Sequence, residues 1–569
     1  MIEFLLAIIC SSIITLGYGS FFYFFSFNNK IYSETEHYEQ SIFGIILISF
    51  LAVIINFFIP INKLVGTIFL LLGIILFLIF FLKNNYKKKI LKHISLSAFI
   101  ALILTFSSNV YRPDAGLYHL PFISILNEEK IIIGLANIHF RFGTNSILQY
   151  LSALYNNYLF NTANITIPAG LIFSNYIIFN YKKIFFNLKE ANYKTSIILF
   201  CLLIFSFYSF NNYTKYGNDV PAHIFYFIIT ILLLEANNNY SSNLFFKISY
   251  LSIFLFAIKA FMFLALLFPI LIFTVIKNKK DLIINKNFLI ISIFILCWLI
   301  KSLLTSGCLI YPVSQTCIKS FKIYDHEKTI LESRSGEAWA KDWINQSKNN
   351  EKLDFIDYNK NFNWTKTWSK NHLLIIYEKT IPFIIFLFIL SIIFAVKYYI
   401  IRKKIFINDK SKNFNIYSLF LISFIFALVW FIKFPLYRYG LSFIIITIIL
   451  GYSLIINKLT KYLSNKNIKN IFIPIIFIGF IAFSIKNFHR IIFHKDNFYT
   501  NYPWSRIYSL DEKKENKIQK FAMIKDNQNF LYFYSDGELC MYGNAPCSNY
   551  KIDGLKKETI YSYSLYYKN

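Results

Sequence analysis

Four ionisable side chains stand where long apolar runs begin or end: Asp114, Asp219, Lys259 and Arg438. A charge at such a boundary is costly unless it is paired or faces water, which makes each a functional candidate. Their types define the chemistry. A carboxylate in a partly desolvated cleft has a raised pKa and can take the proton of an attacking hydroxyl. A guanidinium can hold a phosphate through two parallel hydrogen bonds and stabilise it as it departs. Asp114 stands beside Pro113 and Gly116, and Asp219 beside Gly217, Asn218 and Pro221, all turn formers. In FIKFPLYRYGLSF, Pro435 breaks one helix and Arg438 starts the next, either binding a phosphate or anchoring the helix end. Lys259, in FLFAIKAFMFL, either joins that site or snorkels to the interface.

The stretch SSNVYRPDAGLYHLP, residues 107–121, places Arg112, Tyr118 and His119 around Asp114, and NIHFRFG adds His139 and Arg141. With His223 these are candidate substrate or phosphate contacts, and no metal-type spacing links them. The chain has no Walker loop, dinucleotide fingerprint, nucleophile elbow or HExxH sequence.

The elements that must position these groups are membrane spans. With 56% hydrophobic residues, 65 Phe and 15% charged residues, the chain has more apolar surface than a soluble fold of this size could hide. Apolar runs of roughly 17–25 residues, enough to cross about 30 Å of hydrocarbon, start near residues 2, 41, 64, 92, 165, 194, 220, 244, 261, 286, 374, 415, 438 and 470. The pair flanking Lys259 also reads as one kinked helix, so the expected fold is an all-α polytopic protein of roughly 12–14 transmembrane helices. No cleavable signal peptide is evident in the first run.

The net charge of +28 falls mainly in short Lys clusters between these runs, such as KNNYKKKILK (83–92) and YKKIFFNLKEANYK (181–194). The positive-inside rule assigns such loops to the cytoplasm, so the charge reports topology and not a nucleic-acid partner. Alternation then puts residues 109–164, 211–220, 305–373, 433–440 and the tail from 488 outside. Four cysteines, Cys308 with Cys317 and Cys540 with Cys547, fall in these external parts as two close pairs, the placement expected of disulfides. The parts are therefore N-terminal helices (1–91), a core with two external loops (92–304), an external cap (305–373), C-terminal helices (374–487) and a small external domain (488–569). GLYHLPFISILNEEK and NSILQYLSALYNNYLF, in the first loop, read as helices lying in the interface plane. In the cap, Trp339, Trp343, Trp364 and Trp368 read as headgroup anchors, with sugar stacking the alternative.

This plan resembles the class-C glycosyltransferases that use polyprenyl-phosphate sugars, among them oligosaccharyltransferases, protein O-mannosyltransferases and aminoarabinose transferases. It shares many spans, a carboxylate soon after a helix in the first external loop, two helices in that loop and a second acidic loop. RPDAGLYHLP, NIHFRFG and the tail's Cys540 and Cys547 are also similar to a group of bacterial polytopic membrane proteins with that plan. The resemblance covers roughly residues 92–456 and implies a sugar transfer at the outer face of the cytoplasmic membrane, with the C-terminus external. It implies Asp114 as base or acceptor-binding group, Asp219 as acceptor or divalent-metal ligand, and Arg438 at the lipid phosphate. The implied partners are membrane lipid, a polyprenyl-phosphate sugar donor and a glycan, lipid or protein acceptor. Three spans precede the expected first helix, and RPDAG has one acid where many members have two adjacent ones, which bears on the metal. A polymerase or ligase of surface glycans needs the same site, and a lipid-linked sugar flippase is the alternative of a different class.

Overall fold

The computed structural model describes residues 2–27, 37–105, 114–160, 162–210, 217–236, 240–346, 353–401, 413–456, 464–493, 522–526, 529–537, 539–543 and 545–568. Arg112 and residues 211–216 of the second loop lie outside the described residues.

A helix occupies each of the fourteen expected runs. First come α1 (Ile2–Phe27), α2 (His37–Asn56), α3 (Lys63–Lys83) and α4 (Lys87–Thr105), then two short helices of the first loop, α5 (Leu120–Glu128) and α6 (Ile147–Ala153). Next are α7 (Ile167–Lys189), α8 (Tyr193–Ser209), α9 (Asp219–Glu235), α10 (Ser242–Ile258) and α11 (Leu267–Val275), with a short α12 (Lys279–Ile283) leading into α13 (Lys286–Ser306). The cap holds α14 (His326–Ala340), α15 (Phe355–Asn359) and α16 (Thr365–Trp368). Last are α17 (Leu374–Ile401), α18 (Asn413–Lys433), α19 (Tyr437–Ile455) and α20 (Asn465–Phe493), which carries the chain past the boundary expected at 488.

Among the described residues eight helices are long and apolar enough to cross a membrane: α1, α2, α3, α13, α17, α18, α19 and α20. The expected 12–14 also includes α8, α9 and α10, which at 17 residues each stand at the lower limit of spanning length, and α4 and α7, which carry lysines within them. The outward face of α3 exposes Leu64, Ile68, Leu71, Leu72, Ile75 and Ile79, an apolar face too continuous for a helix that meets water.

The first loop differs from its expected interface-plane helices. Every residue of α6 is buried, as are Leu120–Asn127 of α5. Polar side chains of both helices are buried and hydrogen-bonded. Gln149 Oε1 accepts from Ser146 N at 2.8 Å in a capping box. Asn127 Nδ2 donates to Ile61 O and Ala153 O at 2.6 and 3.0 Å, tying α5 to the α2–α3 connection and to α6. Two of the cap's four tryptophans differ from headgroup anchors: Trp364 and Trp368 are buried with Ala338 and Tyr358 in a small core of their own, while Trp339 is exposed.

The tail adds β structure to the helical plan. Strands β1 (Ala522–Asp526) and β2 (Asn529–Tyr534) pair antiparallel, β3 (Cys547–Ser548) joins β2 in parallel, and β4 (Leu555–Ile560) with β5 (Tyr563–Lys568) makes a hairpin. Cys308 is bonded to Cys317 and Cys540 to Cys547, while Cys10, Cys201 and Cys297 are free. β5 docks on the first loop through Ile133 N to Ser564 O (2.9 Å) and Tyr566 N to Ile133 O (2.8 Å). Tyr542 OH donates to Asn127 Oδ1 at 3.0 Å, and Met541 N donates to Gly116 O at 2.8 Å, two residues past Asp114.

Gly134 makes this docking possible. Its φ is +72°, and a Cβ there would lie 1.9 Å from Tyr566 O. Gly134→Ala is therefore expected to loosen the tail while leaving the helices intact. Limited proteolysis should cleave the tail at least about tenfold faster, a rate set by the open population, with helical content by circular dichroism unchanged. An unchanged cleavage rate would contradict the docking.

Candidate functional site

The turn between α18 and α19 fixes Arg438. Pro435 has no N–H and disfavours helix in its neighbour, so α18 stops at Lys433 and α19 begins afresh at Tyr437. Two indole N–H groups satisfy the carbonyls that this break frees. Trp430 Nε1 donates to Leu436 O at 2.8 Å, and Trp368 Nε1, from the cap, donates to Pro435 O at 2.7 Å. Gly440 lets the Trp430 ring close against α19, because a Cβ there would lie 2.3 Å from Trp430 Cδ2. From α9, His223 Nε2 donates to Arg438 O at 2.8 Å. A carbonyl can only accept, so the proton sits on Nε2, and Nδ1 accepts from Ser442 Oγ at 3.0 Å.

A second break fixes Lys259. α10 ends at Ile258, Lys259 is extended (φ −152°, ψ 113°), and the chain restarts as a 3₁₀ turn over Ala260–Leu266. The two apolar runs are thus separate elements meeting at this lysine. Its Nζ forms an ion pair with Asp219 Oδ1 and lies 3.7 Å from the centre of the Tyr439 ring. Asp219 is the first residue of α9, where the helix dipole favours a carboxylate.

Arg438 joins the two loops. Its Nε is 3.9 Å from Asp219 Oδ2, and its Nη1 is 3.5 Å from Asp114 Oδ2. The side chains of Asp114 and Arg438 are 47% and 44% exposed, against 28% and 18% for Asp219 and Lys259. The site is thus a more enclosed Lys–Asp pair with a more open Arg–Asp pair stacked on it. From the cap, the Trp339 ring lies 5.6 Å from the Arg438 guanidinium.

The remaining expected residues divide. Tyr118 and His119 belong to the site: burial, followed by the charge of Asp114, pushes the Tyr118 hydroxyl upward. Burial brings the buried His119 imidazole down to about 4 against the opposing pull of Asp114 and Asp219. Gln149 Nε2 lies 2.9 Å from His119 Nδ1. The Arg141 guanidinium lies 5.7 Å from the Tyr118 ring, at the margin. His139 does not join the site. Its Nδ1 caps a 3₁₀ turn by accepting from Arg141 N at 3.1 Å, and its ring packs on Phe142 and on Tyr550 of the tail. Tyr439 and Trp339 line the site without having been expected there. Tyr439 is distinguished in sequence only by its neighbour Arg438, and the cap's fold alone brings Trp339 across.

A divalent metal on Asp219 does not fit this donor set. Its carboxylate faces Lys259 and Arg438, and no three His, Cys, Asp or Glu side chains converge on a metal-sized site among the described residues.

The low pKa of His119 makes a stability prediction. An unfolded histidine titrates near 6.5, whereas folded His119 stays neutral to about 4. Between these values the unfolded state binds the extra proton, so folded stability falls as pH drops, by up to about 1.4 kcal/mol per pH unit. His119→Asn removes that proton. Unfolding measured across pH 6.5 to 4 should show a shallower slope in the variant, and parallel slopes would contradict a buried neutral imidazole.

No curated protein and no solved structure matches the chain. A family model described as "Domain of unknown function (DUF8201)" matches residues 1–445, a range that contains Asp114, Asp219, Lys259 and Arg438 and excludes α20 and the β tail. The chain belongs to that family.

Proposed function

We propose that this chain is an integral membrane glycosyltransferase of class-C type. It moves a sugar from a polyprenyl-phosphate-linked donor to a glycan, lipid or protein acceptor at the outer face of a bacterial cytoplasmic membrane. The observation that carries this reading is the convergence of Asp114, Asp219, Lys259 and Arg438 from four separate elements at helix ends. A lipid-linked sugar keeps its tail in hydrocarbon and its anomeric carbon at the surface, so its reactive bond lies at the depth of such a site.

The four groups divide the chemistry. The acceptor hydroxyl oxygen bonds to the anomeric carbon, its proton passes to Asp114, and the bond from that carbon to the phosphate oxygen breaks. The phosphate leaves with the electron pair and meets Arg438 and Lys259, which stabilise the charge as it develops. Asp219 is a positioning residue: bound to both cations, it fixes their heads and has little freedom to act as the base. An ammonium and a guanidinium then supply the positive charge that a divalent ion would bring.

The test is sugar release from radiolabelled polyprenyl-phosphate sugars by the purified protein. Asp114→Asn keeps the size of the side chain and removes its charge, so transfer should fall by about 10²-fold or more. Arg438→Lys keeps the charge and loses the fork, so it should raise the KM for the lipid donor more than that for the acceptor. EDTA should leave the rate unchanged. Full activity in Asp114→Asn would sink the assignment of that residue, and a rate abolished by EDTA and restored by Mn²⁺ would overturn the metal-free reading. Translocation of the donor into sealed vesicles without transfer would identify a flippase.

A further inference from the structure

The tightest turn of the β tail carries a side chain that has no evident place there. β4 and β5 are joined by only two residues, Tyr561 and Ser562, because Ile560 pairs with Tyr563. Both have positive φ, +47° and +66°, as a type I′ turn requires. Glycine, asparagine and aspartate are the ordinary residues at such positions, and a bulky aromatic residue is disfavoured. Strain of this kind persists where the side chain has a use. That use is not packing within the tail, since Tyr561 is 92% exposed and Ile560 beside it is exposed as well.

The position of this tip is fixed by its contacts. Tyr563 OH donates to Phe57 O, just past the end of α2, at 2.9 Å. From the first loop, Lys130 Nζ donates to Ser562 Oγ at 2.6 Å and lies 3.7 Å from the centre of the Tyr563 ring. The tip is thereby held at the α2–α3 turn, where Phe58 is 69% exposed and Ile59 is exposed beside it. From Lys63 to Lys83, α3 rises about 30 Å, the thickness of the hydrocarbon core, so its start stands at the boundary of the lipid. Its outward face is apolar from Leu64 onward, and the exposed Tyr158 and Leu159 extend that face, tied to it through Tyr158 N to Thr67 Oγ1 at 3.0 Å. The apolar surface of α3 thus continues past the start of the helix onto the turn and the hairpin tip.

We propose that the β4–β5 tip enters the headgroup layer of the membrane, with Ile560 and Tyr561 beside Phe58 and Ile59 at the edge of the hydrocarbon. The occupant of the patch is lipid because the patch is continuous with the exposed face of α3 at the depth where that helix leaves the bilayer. Tyrosine suits this layer, having an apolar ring and a polar tip. The tail is then held at two places, on the first loop through Ile133 and Gly116 and on the membrane through its tip. The inference rests on α3 spanning a membrane and holds whether or not the site transfers sugar.

Power-saturation electron paramagnetic resonance of the full chain in phosphatidylcholine vesicles tests it. Cys10, Cys201 and Cys297 are changed to Ala and the disulfides are left intact. A nitroxide is then placed by Tyr561→Cys, with Leu71→Cys on the exposed face of α3 as the lipid reference and Asp357→Cys in the cap as the aqueous one. The hairpin label should meet oxygen in preference to a nickel chelate, as the α3 label does and the cap label does not. Chelate access equal to that of the cap label would put the tip in water, and exclusion of both reagents would put it under another part of the chain; either result overturns the proposal. A chelate-accessible label on α3 would mean instead that this helix does not meet lipid, and the proposal would fall with that reading. Tyr561→Gly separates the lipid contact from the fold, because glycine suits the turn. Limited proteolysis in vesicles should cleave the tail about threefold faster in this variant. Equal or slower cleavage, the result of a merely relaxed turn, would overturn the proposal.

Discussion

One ion pair between separate helices sets the constraint on this site. Lys259 ends α10 in an extended conformation, and its ammonium meets the carboxylate that begins α9. Both groups are largely withdrawn from water, so either charge alone in these surroundings would be unfavourable. Once the pair is made, the break in α10 is fixed in position, and the start of α9 is held at the same depth. Tyr439 then lies beneath the ammonium, which sets the rotation of α19 and brings Arg438 over both carboxylates.

The surrounding elements hold that arrangement from three sides. His223 ties α9 to α19 through the carbonyl of Arg438, which holds the backbone from which the guanidinium extends. The cap reaches the α18–α19 turn with Trp368 and the guanidinium with Trp339. The tail reaches the other side, where Met541 lies on Gly116. The Asp114–Arg438 pair is the more open part of the site.

Much of this was legible in the sequence, and the reasons differ by element. The long helices could be read because each is a nearly uninterrupted apolar run. The four charged groups could be read because a charge beside such a run needs a partner, and the structure supplies each with another of the four. The two cysteine pairs could be read from short spacing. The burial of the first-loop helices could not, since a polar residue looks alike whether it meets water or a buried polar group: Asn127 meets two carbonyls, and Gln149 meets the Ser146 N–H and the His119 ring. The docking of the tail on the first loop depends on contacts between residues hundreds of positions apart, Ile133 with Tyr566 and Asn127 with Tyr542 among them. Such contacts leave no local period. Asp219 also changed meaning on folding, from a metal-ligand candidate to the partner of a lysine that lies forty residues away.

Lys259 and Asp219 form a coupled pair on which the site's geometry depends. The most direct measurement is a double-mutant cycle with Lys259→Met and Asp219→Asn, read as unfolding free energy in mixed micelles. A real pair predicts that each single change destabilises strongly and that the double variant recovers part of the loss, with a coupling of about 1–3 kcal/mol. Losses that add to within about 0.5 kcal/mol would mean that the two charges act independently and that their pairing does not set the site's geometry.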